Sequence, residues 1–174
     1  MERLPVTRRD DAGRHGGTAR SGRAETTGAS MFVLEATAEM PRPAEKVWFV
    51  VADYALDRRW RSGVISAKSD PPGPVAPGTT IDEVMRIAGR PYRSSGIVTE
   101  VGPGLRFSWR NTKGSDSDGE RRVEPLDGER CTVTMVVRVR LRGAERLLAP
   151  FVAPMLRRTL RQDVRRLRAL IMES

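Results

Sequence analysis

The sequence contains very little of the side-chain chemistry on which many enzymes depend. Its 174 residues include one cysteine, Cys131, and one histidine, His15. A single cysteine excludes an intrachain disulfide and a multi-cysteine metal site. A Ser-His-Asp or Cys-His nucleophile, or a zinc site with histidine ligands, would need His15, which lies in a polar N-terminal segment. With no phosphate loop or dinucleotide fingerprint either, we predict no metal and no cofactor.

Large apolar side chains are almost missing from the first thirty residues. Such a segment buries too little surface to offset the entropy of ordering its chain, so the sequence predicts a disordered tail over residues 1–30. Residues 31–174 are predicted to form one folded domain. Met31 stands at the junction and is a candidate for the physiological start.

Long apolar runs are missing as well. The longest purely apolar run, residues 47–52, is far too short to cross a bilayer. Arg8 and Arg9 are not followed by the apolar stretch that a twin-arginine signal requires. We therefore expect a cytoplasmic protein.

Positive charge, by contrast, is in excess. The net charge is +9, and residues 31–174 hold 25 Lys or Arg against 18 Asp or Glu. A basic balance fits nucleic acid or an anionic membrane, and it also occurs in arginine-rich proteins with neither partner. Four arginines share one side of the predicted last helix: Arg157, Arg161, Arg165 and Arg168. No aromatic residues are interleaved with them, so we expect no nucleic acid and keep peripheral contact with an anionic membrane as a hypothesis. No oligomeric state follows from the sequence.

Alternation of apolar and polar residues predicts most of the folded part to be strands. The alternation is clear over residues 32–40, 81–88, 105–110 and 131–141 and weak over 120–125, and a further strand is predicted over 92–101 between two turn signals. A short helix is predicted over 44–52 behind Pro43, whose missing N–H costs nothing in a first turn. A long amphipathic helix is predicted over 144–172. The fold class is therefore α+β, with a meandering antiparallel sheet of six or seven strands closed by a C-terminal helix.

Short motifs in this order carry a resemblance to a known family. They are Pro41-Arg42-Pro43-Ala44-Glu45-Lys46-Val47-Trp48, Asp53-Tyr54, Trp60, Pro77-Gly78-Thr79, Phe107-Ser108-Trp109, and Arg142-Gly143 leading into Leu147-Leu148-Ala149-Pro150. With them the chain resembles the START-like (Bet v 1-like, SRPBCC) superfamily, and specifically its polyketide cyclase/dehydrase and lipid-transport branch. The resemblance covers roughly residues 32–171. It implies a helix-grip fold with a deep apolar cavity between the concave face of the sheet and the last helix.

The resemblance also implies which side chains meet a hydrophobic ligand. Wall residues are expected along the strands and at the start of the last helix, where the apolar face widens and prolines interrupt the helical hydrogen bonds. The predicted cavity residues are Tyr54, Trp60, Met85, Phe107, Trp109, Met135, Phe151 and Met155. For each of them, packing in the core is the alternative interpretation.

Three residues are candidates for proton transfer: Arg59, Tyr92 and Asp163. Arg59 lies in the arginine-rich stretch around Trp60, which borders the cavity entrance in helix-grip proteins, although such a stretch is also typical of a solvated turn. Tyr92 and Tyr54 are the only phenols. Asp163 falls near the apolar face of the last helix, so its carboxylate is predicted to be protonated, to meet the cavity or to pair with Arg166.

Two functions follow, and the sequence leaves both open. The first is a non-catalytic binder or carrier of a hydrophobic small molecule, such as a lipid, a polyketide or an isoprenoid-like compound. The alternative is a polyketide cyclase or dehydratase that uses the shape of the cavity, with Arg59, Tyr92 or Asp163 transferring protons.

Overall fold

The computed structural model describes residues 30–87 and 89–173. Most of residues 1–30, with the predicted tail and His15, lie outside the described residues. The described part contains seven strands and three α-helices. They are β1 (Ser30–Met40), α1 (Ala44–Val51), α2 (Asp57–Trp60), β2 (Val64–Asp70), β3 (Thr80–Ile87), β4 (Arg90–Gly102), β5 (Leu105–Lys113), β6 (Ser117–Pro125), β7 (Cys131–Leu141) and α3 (Ala149–Glu173). Short 3₁₀ turns precede α2 (Tyr54–Leu56) and α3 (Gly143–Leu148).

The strands form one antiparallel sheet in the order β1-β7-β6-β5-β4-β3-β2. Strands β2 to β7 meander, and β1 closes on β7 along its full length, from Ser30 opposite Leu141 to Met40 opposite Cys131. Bulges between β4 and β5 add local bend and twist to the ribbon. The sheet curves around α3, so the predicted α+β helix-grip fold is confirmed with seven strands.

The core lies where the C-terminal half of α3 meets the sheet. Leu160, Val164, Leu167 and Ile171 recur every three or four residues and are the apolar residues that α3 buries. The N-terminal half of α3 is mostly exposed. No helix in the described ranges is long and apolar enough to span a membrane.

The chain between α1 and α2 turns sharply, and this turn positions Tyr54. The first turn of α1 is held by the carbonyl of Pro43, which accepts from the amides of Lys46 and Val47. After α1 ends, the Asp53 carboxylate accepts from the amide of Ala55 at 2.9 Å and starts the 3₁₀ turn. Tyr54 is thereby turned inward and is buried.

Two segments differ from the sequence prediction. Strand β2 was not predicted, because it is an edge strand that pairs with β3 alone through a bulge at Val64 and Ser66. Between β4 and β7 the sequence predicted strands only over 105–110 and 120–125, yet β5 continues to Lys113 and β6 begins at Ser117. Asn111, Ser115 and Ser117 line the cavity described below instead of a packed core, so the apolar alternation that identifies a strand is missing there.

Candidate functional site

An internal cavity of about 180 Å³ lies between the concave face of the sheet and the middle of α3. Its apolar wall includes Leu34, Ile81, Met85, Met135, Val137 and Leu156. Several of the residues that line the cavity are small, among them Ser94, Gly96, Ser115 and Ser117, and they leave space that larger side chains would fill.

Gly119 shapes one wall through its missing side chain. A Cβ at this position would lie 2.7 Å from the Trp109 ring and would also meet the carbonyl oxygen of Val136. The indole of Trp109 therefore lies directly across β6, opposite Gly119 in the register of the two strands. This contact places Trp109 in the cavity wall.

Six of the sequence-predicted site residues line the cavity. They are Tyr54, Met85, Tyr92, Trp109, Met135 and Asp163. The strands β3, β4, β5 and β7, the 3₁₀ turn before α2 and helix α3 each contribute one of them. The tertiary fold thus brings together residues that are up to 109 positions apart, Tyr54 and Asp163.

The other five predicted residues lie elsewhere. Trp60 and Phe107 are buried in the core beside the cavity, 0% and 1% exposed. Phe151 and Met155 are on the outside of α3, because the inward face of that helix runs through Leu156 and other residues further along the chain. Arg59 is exposed on α2, a helix that turns Asp57 and Trp60 inward and Arg59 outward.

A buried ion pair joins the sheet to α2 beside the cavity. The guanidinium of Arg121 donates through Nη1 to Asp57 Oδ1 at 2.8 Å and through Nη2 to Oδ2 at 2.6 Å. Its Nη1 also donates to the carbonyl of Val51 at 3.0 Å. Burial alone would lower the pKa of Arg121, but the charge of Asp57 raises it, so the guanidinium stays protonated.

Aromatic rings surround the same guanidinium. The Cζ of Arg121 lies 4.5 Å from the ring centroid of Tyr54, 5.3 Å from that of Trp60 and 5.5 Å from that of Phe107. Such cation–π contacts are strongest where water is excluded. Trp60 and Phe107 therefore support Arg121, which itself lines the cavity.

Arg61 extends this network into the cavity. It donates to Asp57 Oδ2 at 2.7 Å and, through the same Nη1, to the carboxylate of Glu83 on β3. Both Arg61 and Glu83 line the cavity, with 14% and 12% of their side chains exposed. Burial alone would lower the pKa of Arg61, but the negative charges of Glu83 and Asp57 raise it, so the net shift is upward. The two arginines and two carboxylates together carry no net charge.

Asp163 on α3 adds a carboxyl group next to this network. Its Oδ1 accepts from the amide of Ser62 at 2.7 Å and from the Ser62 hydroxyl. Within the described ranges no ion pair joins Asp163 to Arg166, the alternative that the sequence allowed. The pKa of Asp163 is raised above its usual value, because burial disfavours the charged carboxylate. The two hydrogen bonds from Ser62 and the positive charge of Arg61 act in the opposite direction and reduce this shift. Oδ2 is left as the oxygen that can hold a proton or meet a ligand.

The raised pKa of Asp163 has a measurable consequence for stability. The folded state keeps the proton at pH values where the unfolded chain, with an ordinary carboxyl pKa of about 3.9, has lost it. The contribution of Asp163 to the free energy of unfolding is therefore largest at low pH and falls as pH rises through the folded-state pKa. Asp163→Asn, whose amide oxygen can still accept from Ser62, should gain stability relative to wild type as pH rises from about 4 to about 7. Urea unfolding of both proteins across this range measures the difference, and parallel curves would contradict the assignment.

A second cluster of polar side chains lines the cavity between β4 and the β5–β6 turn. The hydroxyl of Tyr92 accepts from the amide of Ser115. The Asn111 amide donates to the Ser117 hydroxyl at 2.9 Å. These side chains satisfy one another, and they offer neutral donors and acceptors to a ligand.

Sequence reasoning missed four charged residues of the site: Asp57, Glu83, Arg121 and Arg61, in whose place it named Arg59. Two signals were present. Glu83 occupies an inward position in the apolar alternation of β3, and Asp57 precedes Arg61 by four residues, the spacing of a helical ion pair. Arg121 lies in the weakly patterned strand β6, where no such signal exists.

Metal and thiol chemistry find little support in the described part of the chain. No group of three His, Cys, Asp or Glu side chains in these ranges could hold a metal ion. Cys131 is buried in the core, and burial raises the pKa of its thiol to about 11. The thiol is therefore protonated near neutral pH and is a poor nucleophile.

Comparison with known proteins places this site in a wider context. The sequence matches the family described as polyketide cyclase/dehydrase and lipid transport over residues 31–171. Among curated proteins, none matches the sequence.

Several solved structures are similar to the chain. A START superfamily protein from Mycobacterium smegmatis is 14% identical, with a TM-score of 0.68 over 84% of this chain and 99% of that one. The Zhui aromatase/cyclase from Streptomyces sp. R1128 is 14% identical, with a TM-score of 0.71 over 82% and 94%. Norcoclaurine synthase from Thalictrum flavum is 14% identical, with a TM-score of 0.60 over 97% and 100%. At these identities the likeness shows the fold alone.

Proposed function

Because the chain belongs to the polyketide cyclase/dehydrase and lipid transport family, a branch of the START-like superfamily, we propose that it binds and carries a small, largely apolar molecule in its cavity. The observation that carries this proposal is the cavity itself, about 180 Å³ with a mainly apolar wall and few polar groups. Apolar concave sites with a small number of placed polar groups are typical of small-molecule binding. A cytoplasmic location stays a prediction from the sequence.

The polar groups indicate which ligands fit. Arg121 is matched by Asp57, and Arg61 is shared between Asp57 and Glu83, so neither cation needs an anionic ligand. A free carboxylate or phosphate would compete with carboxylates already in place. A neutral hydroxyl can instead donate to Glu83 or to Asp163 Oδ2, and a carbonyl can accept from Asp163 when Oδ2 carries a proton. We therefore assign the ligand to neutral, mostly apolar molecules that carry a hydroxyl or carbonyl group.

Calorimetric titration with 2-naphthol and naphthalene tests this assignment. The two probes have nearly the same apolar surface, and only 2-naphthol carries a hydroxyl. We expect 2-naphthol to bind about three- to tenfold more tightly, the effect of one net hydrogen bond of about 0.6–1.4 kcal/mol. Asp163→Leu combined with Glu83→Met removes both hydrogen-bonding carboxyl groups and should remove most of the difference while both probes still bind.

Two outcomes would contradict the proposal. Failure of both probes to bind the wild-type protein, together with no stoichiometric guest in mass spectra of natively purified protein, would exclude the carrier function at this size of ligand. Equal affinity for both probes would retain the cavity as a binding site and reject its polar selectivity. Glu100→Gln, an exposed carboxylate outside the cavity, is the matched control and should change neither affinity.

A second function is favoured by one specific observation, a carboxyl with a raised pKa in a cavity wall. As a methylene carbon of a folded poly-β-keto chain attacks a carbonyl carbon, the C–O π bond breaks and Asp163 can act as a general acid that donates its Oδ2 proton to the oxygen. The Asp163 carboxylate so formed can take up the proton that the methylene loses, which restores the acid. Tyr92 lines the same cavity, and Arg61 takes the place in the cavity that the sequence assigned to Arg59. The fold similarity to an aromatase/cyclase fits this alternative.

Product analysis separates the two functions. A synthetic poly-β-keto thioester incubated with wild-type protein, Asp163→Asn and Tyr92→Phe should give a protein-dependent product pattern that Asp163→Asn changes. If all three proteins give the pattern of the uncatalysed reaction while 2-naphthol still binds, the protein is a carrier and not a cyclase.

A further inference from the structure

Four large apolar side chains are exposed together at the start of the last helix. Leu147 and Phe151 are each 77% exposed, Leu148 is 56% exposed and Met155 is 39% exposed. Phe151 and Met155 are spaced by four residues and share one side of α3, and Leu147 and Leu148 end the 3₁₀ turn directly before this helix. We call these four residues the apolar patch. Exposed apolar side chains that cluster in this way mark interaction sites more often than scattered ones do.

Unpaired arginines border the apolar patch. Arg146 precedes it, and Arg157, Arg158 and Arg161 follow on the exposed surface of α3. Within the described ranges none of these four forms a salt bridge. Three of them, with Pro154, Gln162 and Arg165, line a shallow surface groove.

Three other exposed or half-buried arginines, on β7 and in the turn before it, do have acidic partners. Arg130, Arg138 and Arg140 each contact an aspartate carboxylate at 2.6–3.1 Å. Between residues 146 and 172 the sequence has one acidic residue, Asp163, and it is buried. The positive charge of this surface is therefore not compensated by the protein itself.

We propose that the apolar patch and its bordering arginines dock the protein on an anionic lipid bilayer. Apolar side chains flanked by unpaired basic residues have the complementarity that the boundary between acyl chains and anionic headgroups requires. A nucleic acid would match the arginines and leave the apolar patch in water. A second copy of the chain would bury the patch and bring the arginines of both copies together.

The position of the patch connects it to the cavity. Met155 is adjacent in sequence to Leu156, and Leu156 and Thr159 line the cavity on the inner side of the same helix. Docking would bring this cavity wall next to the bilayer. The inference does not depend on the ligand, because it rests on surface residues that do not line the cavity.

Vesicle co-sedimentation tests the docking surface. The probes are vesicles of phosphatidylcholine alone and vesicles with about one third phosphatidylglycerol, at low and high salt. We expect the full chain to bind the anionic vesicles only, and binding to fall as salt rises, because screening weakens surface attraction. Leu148→Ser/Phe151→Ser should bind at least tenfold more weakly.

Matched controls distinguish binding through this surface from nonspecific adsorption to lipid. Phe49→Ser removes an aromatic side chain that is 63% exposed on α1 and should bind like wild type. Arg157→Gln/Arg158→Gln should weaken binding severalfold, whereas Arg106→Gln, an exposed arginine on the sheet, should not.

The proposal fails if wild type binds neutral and anionic vesicles equally or binds neither. It also fails if Leu148→Ser/Phe151→Ser binds as tightly as Phe49→Ser. A concentration-dependent dimer that Leu148→Ser/Phe151→Ser abolishes, without vesicle binding, would assign the patch to self-association instead. Unchanged 2-naphthol affinity in every variant shows that the cavity is intact.

Discussion

Asp57→Ala is expected to lower the free energy of unfolding by about 3–5 kcal/mol, the cost of leaving one partner of a buried ion pair uncompensated. The Asp57 carboxylate is fully buried and binds both Arg121 and Arg61. Its loss would leave the guanidinium of Arg121, 2% exposed, without an anion beside it. Equilibrium urea denaturation measures the change.

Two controls show that the effect comes from the unmatched charge. Asp57→Leu/Arg121→Met removes both charges and should recover much of the loss, because buried ion pairs can be replaced by apolar groups of similar volume. Glu100→Ala breaks the exposed pair with Arg106 and should stay within about 1 kcal/mol of wild type. A loss below about 1 kcal/mol for Asp57→Ala would mean that the network does not hold α2 on the sheet.

Val137→Trp is expected to abolish ligand binding without unfolding the protein. Val137 is on β7 and lines the cavity, so an indole at this position would occupy the space that a guest needs. Affinity for 2-naphthol should fall at least tenfold, which corresponds to about 1.4 kcal/mol. Ser117→Phe, on the adjacent strand β6, fills the same cavity from another wall and should have the same effect.

Val33→Trp provides the matched control for added bulk. Val33 is on β1 and is 45% exposed, so the same side chain there meets solvent and should leave binding unchanged. Circular dichroism and thermal unfolding confirm that each variant folds. If Val137→Trp and Ser117→Phe both fold and bind 2-naphthol like wild type, the ligand site lies outside this cavity.

The sequence predicted the fold well and the site in part. Six of the eleven predicted site residues line the cavity, and all of them except Tyr54 lie on strands or helices that the sequence predicted. Phe151 and Met155 were assigned inward because they continue the apolar face of the last helix. Helical spacing predicts the direction of a side chain relative to its own helix, and it does not show where that helix moves away from the sheet. That departure exposes both residues and makes them part of the apolar patch.

The sequence also did not identify which of two neighbouring arginines lines the cavity. Arg59 and Arg61 have the same chemistry and are two residues apart, so composition cannot separate them. The end of α2 turns Arg61 toward Glu83, 22 residues further along the chain, and leaves Arg59 in solvent. The choice depends on a partner that no local pattern identifies.

The sequence alone determined six of the seven strands, the closing helix and the absence of a second cysteine or a histidine in residues 31–174. These properties are local, because alternation and helical spacing follow from backbone geometry over a few residues. Only the tertiary structure decided the partners: Arg121 meets Asp57 across 64 residues, and Asp163 meets Ser62 across 101. It also decided the cavity, since empty space depends on how far α3 stands from the sheet and which small side chains lie between them. The pattern of apolar and polar residues predicts which side chains point inward. The partners that those side chains contact follow only from the tertiary packing.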